Sequence, residues 1–102
     1  MADKQAVIIG AGVIGCAVGL QLSRKGYSVT LVDKNPEVGY GSTSNSCAVV
    51  RFSYSSLATT ALAYEGYHYW KDWANFLGVE DERGLAKYHE CGPLMIKSSP
   101  DD

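Results

Sequence analysis

The chain has 102 residues, of which 46% are hydrophobic and 20% are charged, and its formal net charge at pH 7 is −2. This composition is typical of a folded globular protein and excludes an intrinsically disordered chain. The slightly acidic balance provides no basic surface for nucleic acid or for an anionic membrane, so neither is an expected partner.

The cysteines and the start of the chain bear on its compartment. Three cysteines at positions 16, 47 and 91 are widely spaced and form no C-x-x-C pair, and the two histidines complete no metal-ligand pattern. Free thiols in a reducing compartment, and no metal site, are the simplest expectation. No secretory signal pattern and no run of about 18 apolar residues is present, so we expect a cytoplasmic protein without a membrane span.

The first 33 residues follow a strand–helix–strand order. Val7 to Ile9 form an apolar, β-branched run, which predicts a strand buried on both faces. Residues 16–25 can continue as a helix that Gly26 ends, and the pattern of Ser28 to Val32 predicts a second buried strand. The pattern predicts an α/β unit with parallel strands.

A glycine motif lies between the first strand and the helix. Gly10, Gly12 and Gly15 have the G-x-G-x-x-G spacing. Gly10 permits a tight turn, Gly12 lets the backbone approach a pyrophosphate, and Gly15 lets the helix pack near the sheet, as Gly19 does one turn later. The unpaired N–H groups at the helix start then face the phosphates. A glycine-rich turn in an ordinary βα unit is the alternative, but the complete context favours a dinucleotide site.

Asp33 ends the second strand, 18 residues after Gly15. A carboxylate at this point can accept hydrogen bonds from both hydroxyls of an adenosine ribose. It would also repel a 2′-phosphate, which argues against NADP.

The remainder of the chain does not supply another β-α-β pair. Residues 34–41 read as a loop, and small hydroxyl residues at 42–46 precede a predicted short helix that one of the serines caps. The pattern then predicts a helix over 57–77 that Gly78 stops, a charged loop at 80–84, a short strand at 92–96 and a polar end at 98–102. We therefore expect an incomplete domain, the N-terminal piece of a longer protein.

The glycine motif, Asp33 and the segment from Gly41 to Tyr54 together resemble a known family. The chain is similar to the N-terminal region of FAD-dependent amine and amino-acid oxidoreductases, the D-amino-acid oxidase group, and most of all to sarcosine oxidase, dimethylglycine dehydrogenase and small D-amino-acid dehydrogenases. The resemblance implies the N-terminal part of a Rossmann-like FAD-binding domain: a βαβ unit, then helices and a short strand. Residues 1–102 would be a segment of a longer two-domain flavoprotein that oxidises the C–N bond of an amino acid or N-methyl amino acid.

The resemblance also implies a set of cofactor-binding residues. Asp33 and Lys34 would bind the adenosine end. The pyrophosphate and ribityl chain would be held by Gly10, Gly12, Val13, Ile14, Gly15, Gly41, Ser42, Thr43 and Ser44. For the hydroxyl residues, plain helix capping is the alternative interpretation.

Arg51 aligns with an arginine that pairs with the substrate carboxylate in sarcosine-oxidase-like enzymes, and a surface or interdomain salt bridge is the equal alternative.

Asn45 and Ser46 lie where dimethylglycine and sarcosine dehydrogenases carry a flavin-linked histidine, so we expect FAD to be bound non-covalently. Two rival interpretations stay open: a segment of an NAD-dependent dehydrogenase, and a truncated dinucleotide-binding module without catalysis.

Overall fold

The computed structural model describes residues 4–96 and residue 98. In chain order its elements are β1 (Gln5–Ile9), α1 (Val13–Arg24), β2 (Ser28–Val32), α2 (Leu57–Lys71) and α3 (Trp73–Leu77). The chain divides into two compact units, Met1–Val49 and Val50–Asp102, called here the first and the second unit. Apart from Ser98, the predicted polar end lies outside the described residues.

The first unit contains a two-stranded parallel sheet. β1 pairs with β2 in a register that runs from Gln5 opposite Ser28 to Ile9 opposite Val32. The ladder continues by one residue at its carboxyl end, where the Gly10 amide donates to the Val32 carbonyl at 2.7 Å. The predicted β-α-β order with parallel strands is therefore confirmed, although β1 begins two residues earlier than its apolar run.

Helix α1 packs against one face of this sheet at Gly19. A Cβ atom on this buried glycine would lie 3.2 Å from Leu31 Cδ1, 3.4 Å from Ile8 Cδ1 and 3.6 Å from Val29 Cγ1. The helix ends in a Schellman motif, because Gly26 has a φ of 82° and the Tyr27 amide donates to the Leu22 carbonyl at 3.1 Å. The predicted packing role of Gly19 and the predicted stop at Gly26 are both confirmed.

The prediction that the first strand is buried on both faces is wrong, and so is the prediction that the second strand is buried, since Leu31 and Val32 are 37% and 43% exposed. Val7 is 68% exposed and Ile9 is 90% exposed, because both lie on the face opposite α1. Apolar runs in parallel strands are typical where helices cover both faces of the sheet. Within the described residues of the first unit, 4–49, a helix covers only one of them.

The short helix predicted after residues 42–46 is also absent from the described part of the chain. Residues 38–45 form turns instead, and residues 47–54 have no regular structure. The small side chains of this stretch bond to nearby backbone groups, as when Asn45 Nδ2 donates to the Gly41 carbonyl at 2.9 Å. Such local bonds compete with helix formation.

The second unit contains two consecutive helices where one was predicted. α2 ends at Lys71 and α3 begins at Trp73, because Asp72 leaves the helical region with φ −117° and ψ 50°. Its carboxylate accepts two 2.9 Å bonds from Asn75 Nδ2, one at each oxygen. The predicted stop at Gly78 is confirmed, since this residue has a φ of 69°.

A cluster of aromatic rings surrounds Tyr67 in the second unit. Tyr67, the buried residue of α2, contacts Phe52, Tyr64 and Tyr88 with ring centroids 5.4 to 5.8 Å apart. Its hydroxyl donates to Glu90 Oε1 at 2.5 Å and accepts from Lys71 Nζ at 2.9 Å. These bonds tie the segment around residues 88–90 to α2.

The strand predicted at 92–96 is wrong. These residues have no regular structure, and Leu94 and Ile96 are 88% and 85% exposed. A strand needs a neighbour for its backbone bonds, and no described residue pairs with this segment. A search of the described residues also finds no helix able to cross a membrane and no group of three potential metal ligands.

Candidate functional site

Residues 10–15, which form the turn after β1 and the start of α1, are the centre of the candidate site and are called the glycine loop. Gly10 has a φ of 106°, which L side chains rarely adopt. A Cβ on Gly15 would overlap with the carbonyl oxygen of Gly10. Only glycine therefore lets α1 begin this close to the end of β1.

Asp33 holds the glycine loop from the end of β2. Its Oδ2 accepts a 2.8 Å bond from the Ala11 amide, and its Oδ1 accepts a 2.8 Å bond from the Asn35 amide. The first bond spans 22 residues and links the carboxyl ends of the two strands. Because a carboxylate oxygen can accept about two bonds, each oxygen keeps room for one further donor.

The electrostatics of Asp33 suit a hydroxyl-binding role. The hydrogen bond from the Ala11 amide, followed by that from Asn35, holds the pKa of this carboxyl below its usual value of 3.8, and the charge of Lys34 adds to the effect. The group is therefore ionised at neutral pH and acts only as an acceptor. A ribose hydroxyl would be favoured beside it, and a phosphate would be repelled.

A groove of about 370 Å³ opens beside this carboxylate. It lies at the carboxyl ends of both strands, the position where open α/β sheets bind ligands. Ile9 and Val32 form apolar walls, Gly10 forms the base, and Asp33, Lys34 and Asn35 complete the lining. An apolar wall next to a fixed carboxylate fits a nucleoside.

The start of α1 lacks a capping side chain of its own. Gly12 is the N-cap residue, and its backbone is extended with a ψ of −177°. The Val13 amide donates instead to Thr43 Oγ1 at 2.9 Å. Among the described residues, the amides of Ile14 and Gly15 have no acceptor. A dinucleotide pyrophosphate fits this helix start, since Gly12 has no Cβ to obstruct its approach and the amides of Ile14 and Gly15 are available as donors.

The turn at residues 38–45 lies against the glycine loop. The Gly39 amide donates to the Ala11 carbonyl at 2.8 Å. Within the turn, the Gly39 carbonyl accepts bonds from the amide and the hydroxyl of Ser44. Gly41 and Ser42 belong to the same turn and are exposed.

The structure thus brings most of the predicted cofactor residues together in the first unit, and it adds three that sequence reasoning missed. Ala11, only 4% exposed, is the point at which Asp33 and the 38–45 turn meet. Gly39 anchors the turn with a φ of 76°. Asn35 donates to the aspartate two residues before it, an Asx turn that the Asp-x-Asn-Pro sequence could have indicated.

Arg51 belongs to the second unit. It is exposed, and its guanidinium carbon lies 4.8 Å from the centroid of the Tyr54 ring. The second unit also has a cavity of about 630 Å³ between α3 and residues 78–85, which none of the predicted site residues lines.

Comparison with known proteins identifies the family. The profile of the FAD dependent oxidoreductase family, DAO, matches residues 5–101. A tRNA 5-methylaminomethyl-2-thiouridine biosynthesis bifunctional protein of Legionella pneumophila is 29% identical over 90% of this chain, and that of Pseudomonas fluorescens is 28% identical over 92%. A glycerol 3-phosphate dehydrogenase of Caloramator mitchellensis is 39% identical over 48% of the chain. No solved structure matches.

The matched relatives are far longer than this chain. The aligned region covers 13% and 14% of the two tRNA-modification proteins and 10% of the dehydrogenase. The chain therefore corresponds to a small part of each of them.

Proposed function

The chain belongs to the FAD-dependent oxidoreductase family, and from that premise we propose that it is the ADP-binding segment of a longer, two-domain flavoprotein. The observation that carries the proposal is the glycine loop, where Gly10, Gly12 and Gly15 leave room for a pyrophosphate beside unpaired helix amides. The short share of its relatives that the chain spans supports a longer whole.

Each end of the ADP group has a partner in this proposal. Asp33 binds the ribose hydroxyls through the acceptor sites that Ala11 and Asn35 leave open, and Lys34 lies beside the adenosine. The amides of Ile14 and Gly15 bind pyrophosphate oxygens. The 38–45 turn, with Gly41, Ser42 and Ser44, forms the second wall of the site. FAD is held non-covalently by these residues.

The substrate class proposed is an amino acid or an N-methyl amino acid. Relatives that match over 90% or more of the chain are named for a methylaminomethyl group, which contains C–N bonds. The relative named for glycerol 3-phosphate, a C–O substrate, matches over only 48%. The broader match favours oxidation at a C–N bond.

When bound, FAD would supply a hydride acceptor for oxidation at the C–N bond. Arg51 would hold the substrate carboxylate, because a planar guanidinium forms two parallel bonds with a carboxylate and so fixes its orientation. Its neighbour Tyr54, whose ring the guanidinium faces, would restrict the arginine to a small range of positions.

Titration of the chain with FAD, followed by quenching of flavin fluorescence, tests the cofactor site. We expect saturable binding of FAD that excess ADP displaces, because ADP carries the ribose and phosphate groups assigned to Asp33 and the glycine loop. Asp33→Asn should weaken FAD binding at least about tenfold through loss of charge-assisted hydrogen bonds. Glu37→Gln, at an exposed acidic residue four positions on, serves as the control. Failure of ADP to compete, or equal affinity of the Asp33→Asn and Glu37→Gln variants, would refute this assignment.

The reaction requires the longer protein and a separate experiment. Anaerobic reduction of its flavin by sarcosine, by D-alanine and by glycerol 3-phosphate distinguishes C–N from C–O substrates. Arg51→Gln should raise the KM for a carboxylate substrate far more than Arg51→Lys, which keeps the charge. Reduction by glycerol 3-phosphate alone would overturn the proposed substrate class and leave the FAD assignment intact.

A further inference from the structure

Helix α1 obtains its N-terminal cap from a distant part of the chain. The N-cap residue Gly12 has no side chain, and Thr43, 30 residues from Val13, accepts the Val13 amide bond in its place. A hydroxyl of this kind usually comes from the N-cap residue itself. Here it arrives from the 38–45 turn.

Gly12 and Thr43 are sterically matched. A Cβ on Gly12 would lie 3.0 Å from Thr43 Oγ1, closer than side chains normally approach. The absence of a side chain at Gly12 therefore makes room for Thr43 as well as for a pyrophosphate. This is a second physical reason for glycine at the middle position of the motif.

A second bond fixes the same turn to the same loop. The Gly39 amide donates to the Ala11 carbonyl at 2.8 Å, and both backbone and side chain of Ser44 bond to the Gly39 carbonyl. The turn is thus attached at Ala11 and at Val13, two residues apart, which restrains its orientation as well as its position.

We propose that Thr43 is a positioning residue that docks the 38–45 turn onto the glycine loop before FAD binds. The inference rests on the proposed function, since the turn is the second wall of the proposed pyrophosphate site. By occupying the Val13 amide, Thr43 leaves the neighbouring amides of Ile14 and Gly15 as the donors for the anion. Docking in advance means that binding does not have to order the turn, and this lowers the entropic cost of binding.

The test compares Thr43→Val, which keeps the branched shape without the hydroxyl, with Thr43→Ser, which restores the hydroxyl. Thr30→Val, at an exposed position of β2, is the matched control for the loss of a threonine hydroxyl. In the ligand-free chain, hydrogen exchange of the Val13 amide is followed by NMR. The FAD dissociation constant is then measured for each variant by fluorescence quenching.

We expect Thr43→Val to lose protection of the Val13 amide and to bind FAD about three- to tenfold more weakly, the equivalent of one ordinary hydrogen bond. Thr43→Ser should recover both properties, and Thr30→Val should change neither. Unchanged Val13 protection or unchanged FAD affinity in Thr43→Val would overturn the inference. Failure of the unsubstituted chain to bind FAD would instead refute the proposed function, and the exchange data would still show whether Thr43 caps α1.

Discussion

An alanine at Gly19 tests how closely α1 packs on the sheet, and Gly66 provides a matched control. Both glycines lie within helices, so replacement by alanine contributes about 1 kcal/mol of stabilisation from helix propensity at either site. At Gly66 nothing lies within 4 Å of the added Cβ. We therefore expect Gly66→Ala to stabilise the second unit by about that amount.

At Gly19 the added Cβ would lie 3.2 Å from Leu31 Cδ1 and 3.4 Å from Ile8 Cδ1. Crowding of this kind in packed regions costs about 1 to 3 kcal/mol. Set against the propensity gain, Gly19→Ala should leave the first unit between unchanged and about 2 kcal/mol less stable. The difference between the two variants isolates the packing term.

Native-state hydrogen exchange of the full chain is the suitable assay, since it reports each unit separately through the amides of β1 and β2 and those of α2. Leu31→Val removes the Cδ1 atom that lies nearest, so the double variant should show a favourable coupling of about 1 kcal/mol with Gly19→Ala. Equal stabilisation by Gly19→Ala and Gly66→Ala would refute the packing of α1 on β2 at this position.

Three further results are expected. Gly15→Ala should destabilise the first unit more than Gly19→Ala. The Cβ added at residue 15 meets the fixed backbone oxygen of Gly10, whereas the Cβ added at residue 19 meets side chains that can move. Far-UV circular dichroism and hydrogen exchange of the β1 amides measure the effect. The pKa of Asp33 is lowered in the folded state, so the stability that its carboxylate contributes is fully present above pH 3.8 and is lost as the pH falls through the folded pKa. Asp33→Asn should therefore flatten the acid side of the plot of unfolding free energy against pH, and an unchanged plot would contradict this. Tyr67→Phe removes a hydrogen bond to Glu90 that spans 23 residues, and it should lower the hydrogen-exchange protection of the amides around residues 88–90 about tenfold. Tyr69→Phe is the control, because the Tyr69 hydroxyl bonds to Glu65 within the same helix, and it should leave that protection unchanged.

The first unit was predictable from the sequence because its signals are local. Apolar runs specify β1 and β2, and Gly26 specifies the end of α1 through its own backbone geometry. The start of α1 was missed by three residues because its cap comes from Thr43, a residue that no local pattern connects to Val13. The exposure of Val7 and Ile9 was missed because burial depends on what covers the second face of the sheet, which these strands do not encode.

In the second unit, two errors have different causes. The helix break at Asp72 is local, and the pair formed by Asp72 with Asn75 three residues later could have indicated a new helix start. The strand predicted at 92–96 failed because a short apolar run reveals only the capacity to pair. Whether the segment pairs depends on the presence of a neighbouring strand, and a single short run does not specify that neighbour.

The cofactor role proposed for Asp33 would link FAD binding to the folding of the first unit. Among the described residues of that unit, Ala11 is the apolar residue that is buried. The hydrogen bond from its amide to Asp33 joins the ends of both strands. With so little apolar burial, polar contacts around the glycine loop make an unusually large contribution to holding this unit together. A ligand that binds only the folded state adds stability by mass action, about 2.7 kcal/mol at 100 times its dissociation constant. FAD bound at Asp33 and the glycine loop would therefore stabilise the fold more as its affinity rises, so the residues proposed to bind the cofactor would also influence how stably the unit folds.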